Sequence, residues 1–205
     1  MDDWNGALKH FKKHDPVLHG AALPHLNAFS VRVSPKHTND QLFAKLAASV
    51  VSQQLATKAA ESIWKRVVAV CGGKVTHTSV LKTPLPRLRS AGLSAAKAKT
   101  LKELASAVRD GLKLTTLRTL SQEDATARLT TIWGIGPWTA EMFLMFALGR
   151  PDIFSARDLG LVRSMETLYG FPRGVALIEL EKHAERWSPY RTYACLVLWQ
   201  ARDQG

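Results

Sequence analysis

The chain has 205 residues, 28 Lys and Arg against 17 Asp and Glu, a formal net charge of +11 and 46% hydrophobic residues. That is enough for one large domain or two small lobes with a real core, and it excludes a disordered tail. No apolar run approaches the ~20 residues of a membrane span, the Met1-Asp2-Asp3-Trp4 start is acidic rather than signal-like, and Cys71 with Cys195 cannot supply a disulfide framework, a four-cysteine zinc site or a four-cysteine iron–sulfur cluster.

Helical signals dominate the chain order. Thr38-Asn39-Asp40-Gln41 reads as a capping box before Leu42, Phe43, Leu46, Ala47, Val50 and Val51, which recur at helical spacing. Ala56 to Val70 places Ala60, Ile63, Trp64, Val67 and Val68 on one face, and Gly72-Gly73 ends it. Pro84 and Pro86 break Thr78–Gly92 into short helices and turns. Ser94 caps a long helix to Arg109, stopped by Gly111, and Ser121 opens another through Ile132. Pro137 to Leu148 is expected to be helical with Pro at its first position. Asp158–Tyr169, Gly174–Arg186 and Pro189–Arg202, the last opened by Ser188-Pro189, complete an all-α chain.

The charge is concentrated. Residues 58–118 hold 13 basic and 3 acidic residues, residues 1–57 carry a net +2, and residues 119–205 a net −1. Solvated helix faces explain any single lysine. The segment as a whole reads as a phosphate-facing surface, because a one-sided excess costs self-repulsion in the folded state. A polyanion, most simply nucleic acid, is the expected partner.

The sharpest motif is Gly134-Ile135-Gly136, between a helix that ends and one that begins at Pro137. Glycines permit a left-handed turn and a close backbone approach, Ile135 can pin the turn into the core, and the amides that follow can hold a phosphate oxygen. An ordinary tight αα-corner would look similar. With its flanking helices and the Thr139-Ala140 that follows, Gly134, Ile135, Gly136 and Thr139 read as a helix–hairpin–helix clamp on DNA backbone. Gly92-Leu93-Ser94 ahead of Lys97, Lys99 and Lys102 is a second phosphate candidate, with Ser94 and Lys97 as its contacts.

Ile132 to Met145, followed by Asp152-Ile153-Phe154-Ser155-Ala156-Arg157-Asp158-Leu159-Gly160, resembles the helix–hairpin–helix DNA glycosylase superfamily. Within it the chain is similar to the 3-methyladenine DNA glycosylase II (AlkA-like) branch. Ser49 to Leu55 resembles that branch's wedge-bearing helix end, and Trp187 to Ala194 its final helix entry. The resemblance implies two helical lobes around a cleft, one spanning 38–148 with the hairpin, the other built from 1–37 and 149–205, without the N-terminal β-rich domain of some members.

It also implies a chemistry. Asp158, 22 residues beyond Gly136, becomes the catalytic carboxylate. Breaking a purine N-glycosidic bond develops positive charge on the deoxyribose, which a fixed carboxylate stabilises while it orients or deprotonates a water. The same residue also reads as a plain N-cap, and the two roles are compatible. Trp138 stands where lyase-active relatives carry a Schiff-base lysine, so the expected enzyme is monofunctional. Trp138, Met142 and Trp199 match positions of the base pocket. There aromatic faces suit a cationic alkylpurine, a good contact being worth roughly 0.5–2 kcal/mol. Trp64 and Trp133 are expected in the core. Gln54 and Leu55 are both candidates for the plug that fills the gap of a flipped base. Main-chain carbonyls of Thr130, Ile132 and Ile135 match a hairpin site for Na+ or K+, and catalysis needs no cofactor.

The expected substrate is therefore duplex DNA bearing 3-methyladenine- or 7-methylguanine-type damage, bound by a monomer and not by a membrane protein. The compartment follows the DNA: cytoplasmic (nucleoid) in a bacterium, nuclear in a eukaryote. A non-catalytic helix–hairpin–helix DNA-binding protein, or a glycosylase for another damaged base, are the competing readings.

Overall fold

Side-chain caps set where most helices start. In the computed structural model, which describes residues 3–25 and 37–202, Asp3 caps α1 (Trp4–His14) and Asp15 caps α2 (Pro16–Ala22), with Pro16 preset for its first turn. Residues 26–36, part of the N-terminal stretch assigned above to the second lobe, lie outside the described residues. The Thr38 capping box opens α3 (Asn39–Ser52), and all six apolar residues named for it are buried. Then follow α4 (Thr57–Val70), α5 (His77–Lys82), α6 (Leu85–Ser90) and the Ser94-capped α7 (Ala95–Arg109). The rest are α8 (Gln122–Thr130), α9 (Pro137–Met142), α10 (Leu159–Tyr169), α11 (Leu177–Ala184) and α12 (Arg191–Arg202). Among the described residues there is no strand.

Several boundaries differ from the sequence expectation, four of them with a clear cause. α8 stops at Thr130 because the Ile132 amide turns back to the Leu129 carbonyl in a tighter turn. The Pro137 helix widens into a π-turn over Phe143–Ala147, where the Leu148 amide reaches the Phe143 carbonyl. Gly174 has φ +78, outside helical space, so α11 starts at Leu177. α12 begins at Arg191, whose amide and guanidinium both bind the Asp152 carboxylate.

The chain divides into two units, residues 34–148 and residues 1–33 with 149–205. In the first, α3 packs on α4 and α7, α5 lies on α7, and α8 packs on α9. Leu42, Phe43, Leu46, Leu88, Leu101 and Leu104 fill its interior. In the second, α10 packs on α12 and α12 on α2, which lies against α1. Phe11, Leu18, Leu161, Met165 and Trp187 are its core.

A buried carboxylate organises the second unit. Asp15, 3% exposed, accepts from the Leu18 amide at 3.0 Å, the Tyr169 hydroxyl at 2.8 Å and the Trp187 indole at 2.7 Å. It thereby ties α2 to α10 and to the turn before α12. Burial and the neighbouring Asp15 push the Tyr169 hydroxyl far above the usual tyrosine range, so it remains a donor. Asp15→Ala strands all three of these donors at once, and we expect it to lower unfolding free energy by about 3 kcal/mol, read from urea denaturation.

Candidate functional site

The hairpin is built by unequal glycines. Gly134 has φ +84, and a Cβ there would overlap the Thr100 hydroxyl on α7. Gly136 has no such constraint: its φ is −88 and a Cβ would meet open space. Ile135 is buried, as its anchoring role requires, and its amide bonds the Ile132 carbonyl at 3.0 Å. Thr139 is also buried, and its hydroxyl accepts from Gln53 Nε2 at 3.0 Å. Its side chain thus holds the turn that follows α3.

Trp133 corrects a sequence expectation. It is 46% exposed rather than core, with Lys99 Nζ 4.2 Å above its ring. The helical pattern that suggested burial ends at Thr130, so Trp133 belongs to the turn and projects from it. Trp64 likewise is only half-buried. With Ala48, Ser49, Ser52, Leu55 and Ala60 it lines a groove of about 490 Å³ between α3 and α4.

The basic segment is not all outward-facing. Lys97 Nζ donates to the carbonyls of Val51 and Gln53, Lys102 Nζ to Leu81, Arg66 Nε to Ala91 and Arg118 Nη1 to Leu148. Burial pushes the Lys97 and Lys102 ammonium groups below the usual lysine value. Lys97, a phosphate contact in the sequence reading, turns two of its three donors to the carbonyls at the end of α3. Ser94 stays exposed while its hydroxyl accepts the Lys97 amide at 3.2 Å. Lys58, Lys65, Lys74, Lys82, Arg87, Arg89 and Lys99 remain exposed for a polyanion.

Gln54 and Leu55 sit at the tip of the turn between α3 and α4. Gln54 is exposed with φ +55, and Leu55 is 38% exposed. Trp138 and Met142 stand one turn apart on α9, Trp138 42% exposed and Met142 half-buried.

Asp158 caps α10. Its Oδ1 accepts from the Leu161 amide at 3.0 Å and from the Trp199 indole N–H at 2.9 Å. Trp199, read from the sequence as a pocket aromatic, therefore holds the carboxylate in one rotamer. Both side chains are half-buried, unlike Asp15, so the carboxylate is fixed yet within reach of solvent.

Three hairpin carbonyls, of Thr130, Ile132 and Ile135, match the cation site that the resemblance implies, and the Ile132 carbonyl keeps a second lone pair beside its bond to Ile135. Neutral main-chain oxygens of this kind suit K+ or Na+.

The glycine asymmetry gives a direct test. Gly134→Ala should lower stability by about 2 kcal/mol through the positive φ and the clash with Thr100, whereas Gly136→Ala should stay within about 0.5 kcal/mol of the parent in thermal unfolding.

Comparison with known proteins places this geometry. Residues 47–189 match the HhH-GPD superfamily of base excision DNA repair proteins. DNA-3-methyladenine glycosylase 1 of Schizosaccharomyces pombe is 36% identical, over 77% of this chain and 71% of that protein. The crystal structure of a DNA-3-methyladenine glycosidase from Bacillus halodurans superposes with TM-score 0.82 at 36% identity, covering 96% of this chain and 88% of that one. The Schizosaccharomyces pombe 3-methyladenine DNA glycosylase in complex with abasic DNA superposes with TM-score 0.78 at 31% identity, covering 95% of each. With a hairpin whose Gly134 packs only as glycine and a carboxylate that caps α10 and is held by an indole, the chain belongs to the HhH-GPD superfamily of base excision DNA repair proteins.

Proposed function

We propose that this chain is a monofunctional DNA glycosylase that hydrolyses alkylated purines, of the 3-methyladenine and 7-methylguanine type, from duplex DNA. The observation that carries the reading is Asp158, held through Oδ1 by the Leu161 amide and the Trp199 indole in a chain similar to 3-methyladenine glycosylases.

The chemistry balances without a cofactor. Alkylation at N3 or N7 leaves the purine cationic, so when the C1′–N bond breaks the base takes the electron pair and departs neutral. Positive charge then builds on the deoxyribose, and the Asp158 carboxylate stabilises it. A water adds to C1′, and its proton passes to the carboxylate. Two donors on Oδ1 hold the carboxylate in place before substrate arrives, which lowers the reorganisation needed at the transition state. Trp138 and Met142 offer an aromatic face and a polarisable thioether to the flipped base. An indole cannot form a Schiff base with the sugar, so strand cleavage does not follow.

The hairpin amides and the exposed lysines and arginines of residues 58–118 bind backbone phosphates without reading sequence. The carbonyls of Thr130, Ile132 and Ile135 would hold a monovalent cation, which adds positive charge at that phosphate site. The protein acts as a monomer. Among the described residues no helix is long and apolar enough to cross a membrane.

Incubation with methylated duplex DNA should release free 3-methyladenine or 7-methylguanine, and Asp158→Asn should cut the single-turnover rate by about 100-fold or more. No release from the parent protein would reduce the chain to a DNA-binding protein. Equal release from the variant would remove Asp158 from the chemistry. Borohydride added during turnover should trap no covalent protein–DNA adduct, and an adduct would refute the monofunctional reading.

A further inference from the structure

The turn that carries Gln54 and Leu55 is braced from outside its own helix. α3 has no basic residue in its last turn to neutralise the negative end of its dipole. Lys97 supplies that charge from α7, its Nζ 2.7 Å from both the Val51 and the Gln53 carbonyls. The Gln53 side chain runs the other way, with Nε2 3.0 Å from Thr139 Oγ1 and 3.4 Å from the Gly134 carbonyl. Residue 53 is therefore fixed by its carbonyl to α7 and by its amide to the hairpin. The next residue, Gln54, holds φ +55, a conformation that costs a non-glycine residue about 1–2 kcal/mol and persists where its surroundings enforce it. Leu55 closes the turn through its amide to the Ser52 carbonyl at 3.1 Å.

We propose that Lys97 and Gln53 are positioning residues for base flipping: they lock the Gln54–Leu55 wedge to the hairpin, so that the grip on the DNA backbone and the insertion into the stack act as one rigid part. A wedge that enters duplex DNA works against base stacking, and a turn free to relax would be pushed back instead of parting the bases. An ammonium suits the role because its three donors reach two carbonyls that do not lie side by side. Burial lowers the Lys97 pKa, which agrees with an inward-turned group and not with one that waits for phosphate. The inference rests on the glycosylase reading and adds to it a division of labour: Asp158 serves the bond, and Lys97 with Gln53 serves access to it.

The test compares one lesion in two settings. 7-Methylguanine is placed opposite cytosine in a duplex and, separately, unpaired in a single-base bulge, where little flipping is required. Lys97→Met should lose about tenfold more rate on the paired substrate than on the bulge, and Lys97→Arg, which can still donate to both carbonyls, should recover most of that difference. Gln53→Ala should show the same preference, and it serves as the second variant should Lys97→Met not fold. Equal losses on both substrates would overturn the proposal, since a general defect of folding or chemistry moves both alike. Release from neither substrate by the parent protein would instead overturn the glycosylase reading. Insertion is then read without chemistry, from the fluorescence gain of 2-aminopurine in duplex DNA at saturating protein. A smaller gain with Lys97→Met supports the brace, and an equal gain overturns it.

Discussion

The backbone of Gly134 lies against Thr100 of α7 at a separation that only a residue without a Cβ can reach. Most of the arrangement within residues 34–148 depends on that approach. It sets Trp133 under Lys99, brings the Gly134 carbonyl and Thr139 to Gln53, and puts the hairpin on the same helix that sends Lys97 to the end of α3. α7 thus serves as a common footing for the hairpin and for the turn after α3. A single methyl group at residue 134 would press on all of these contacts together, because interiors packed at crystal-like density transmit displacement instead of absorbing it.

The unit of residues 1–33 and 149–205 uses one device twice. Asp15 and Asp158 are both helix N-caps, each accepts an amide three residues on, and each accepts an indole N–H, from Trp187 and Trp199 respectively. Burial separates their roles. Asp15 is sealed among Tyr169, Trp187 and Leu18, where a carboxylate contributes by satisfying donors. Asp158 keeps the same support while half-buried, so it stays within reach of solvent. The motif for fixing a carboxylate is shared, and access distinguishes the two copies, which is what the role proposed for Asp158 requires.

The excess of positive charge also divides. Some cations of residues 58–118 close helix ends by donating to backbone carbonyls, while others point outward. A net charge counted along the chain therefore overstates the surface available to phosphate, since a cation facing a carbonyl contributes to stability more than to steering.

Much of this was legible in the sequence because it is written in local rules. Helix starts follow from Thr38, Ser94, Ser121 and Asp158 as caps, the buried face of α3 from a 3.6-residue period, and the all-α class from the absence of alternating runs. The motif around Gly134 and Asp158 pointed to the superfamily because close approach and charge stabilisation each need a particular residue type. Tertiary structure alone decided the rest. Nothing in residue spacing says that Lys97 turns inward to Val51 and Gln53, that Trp133 is exposed, or that the Trp199 indole donates to Asp158. Those partners lie tens of residues apart in the chain, or in a turn where periodicity has ended, and a long polar or aromatic side chain takes its partner from whatever backbone the fold brings within hydrogen-bonding distance.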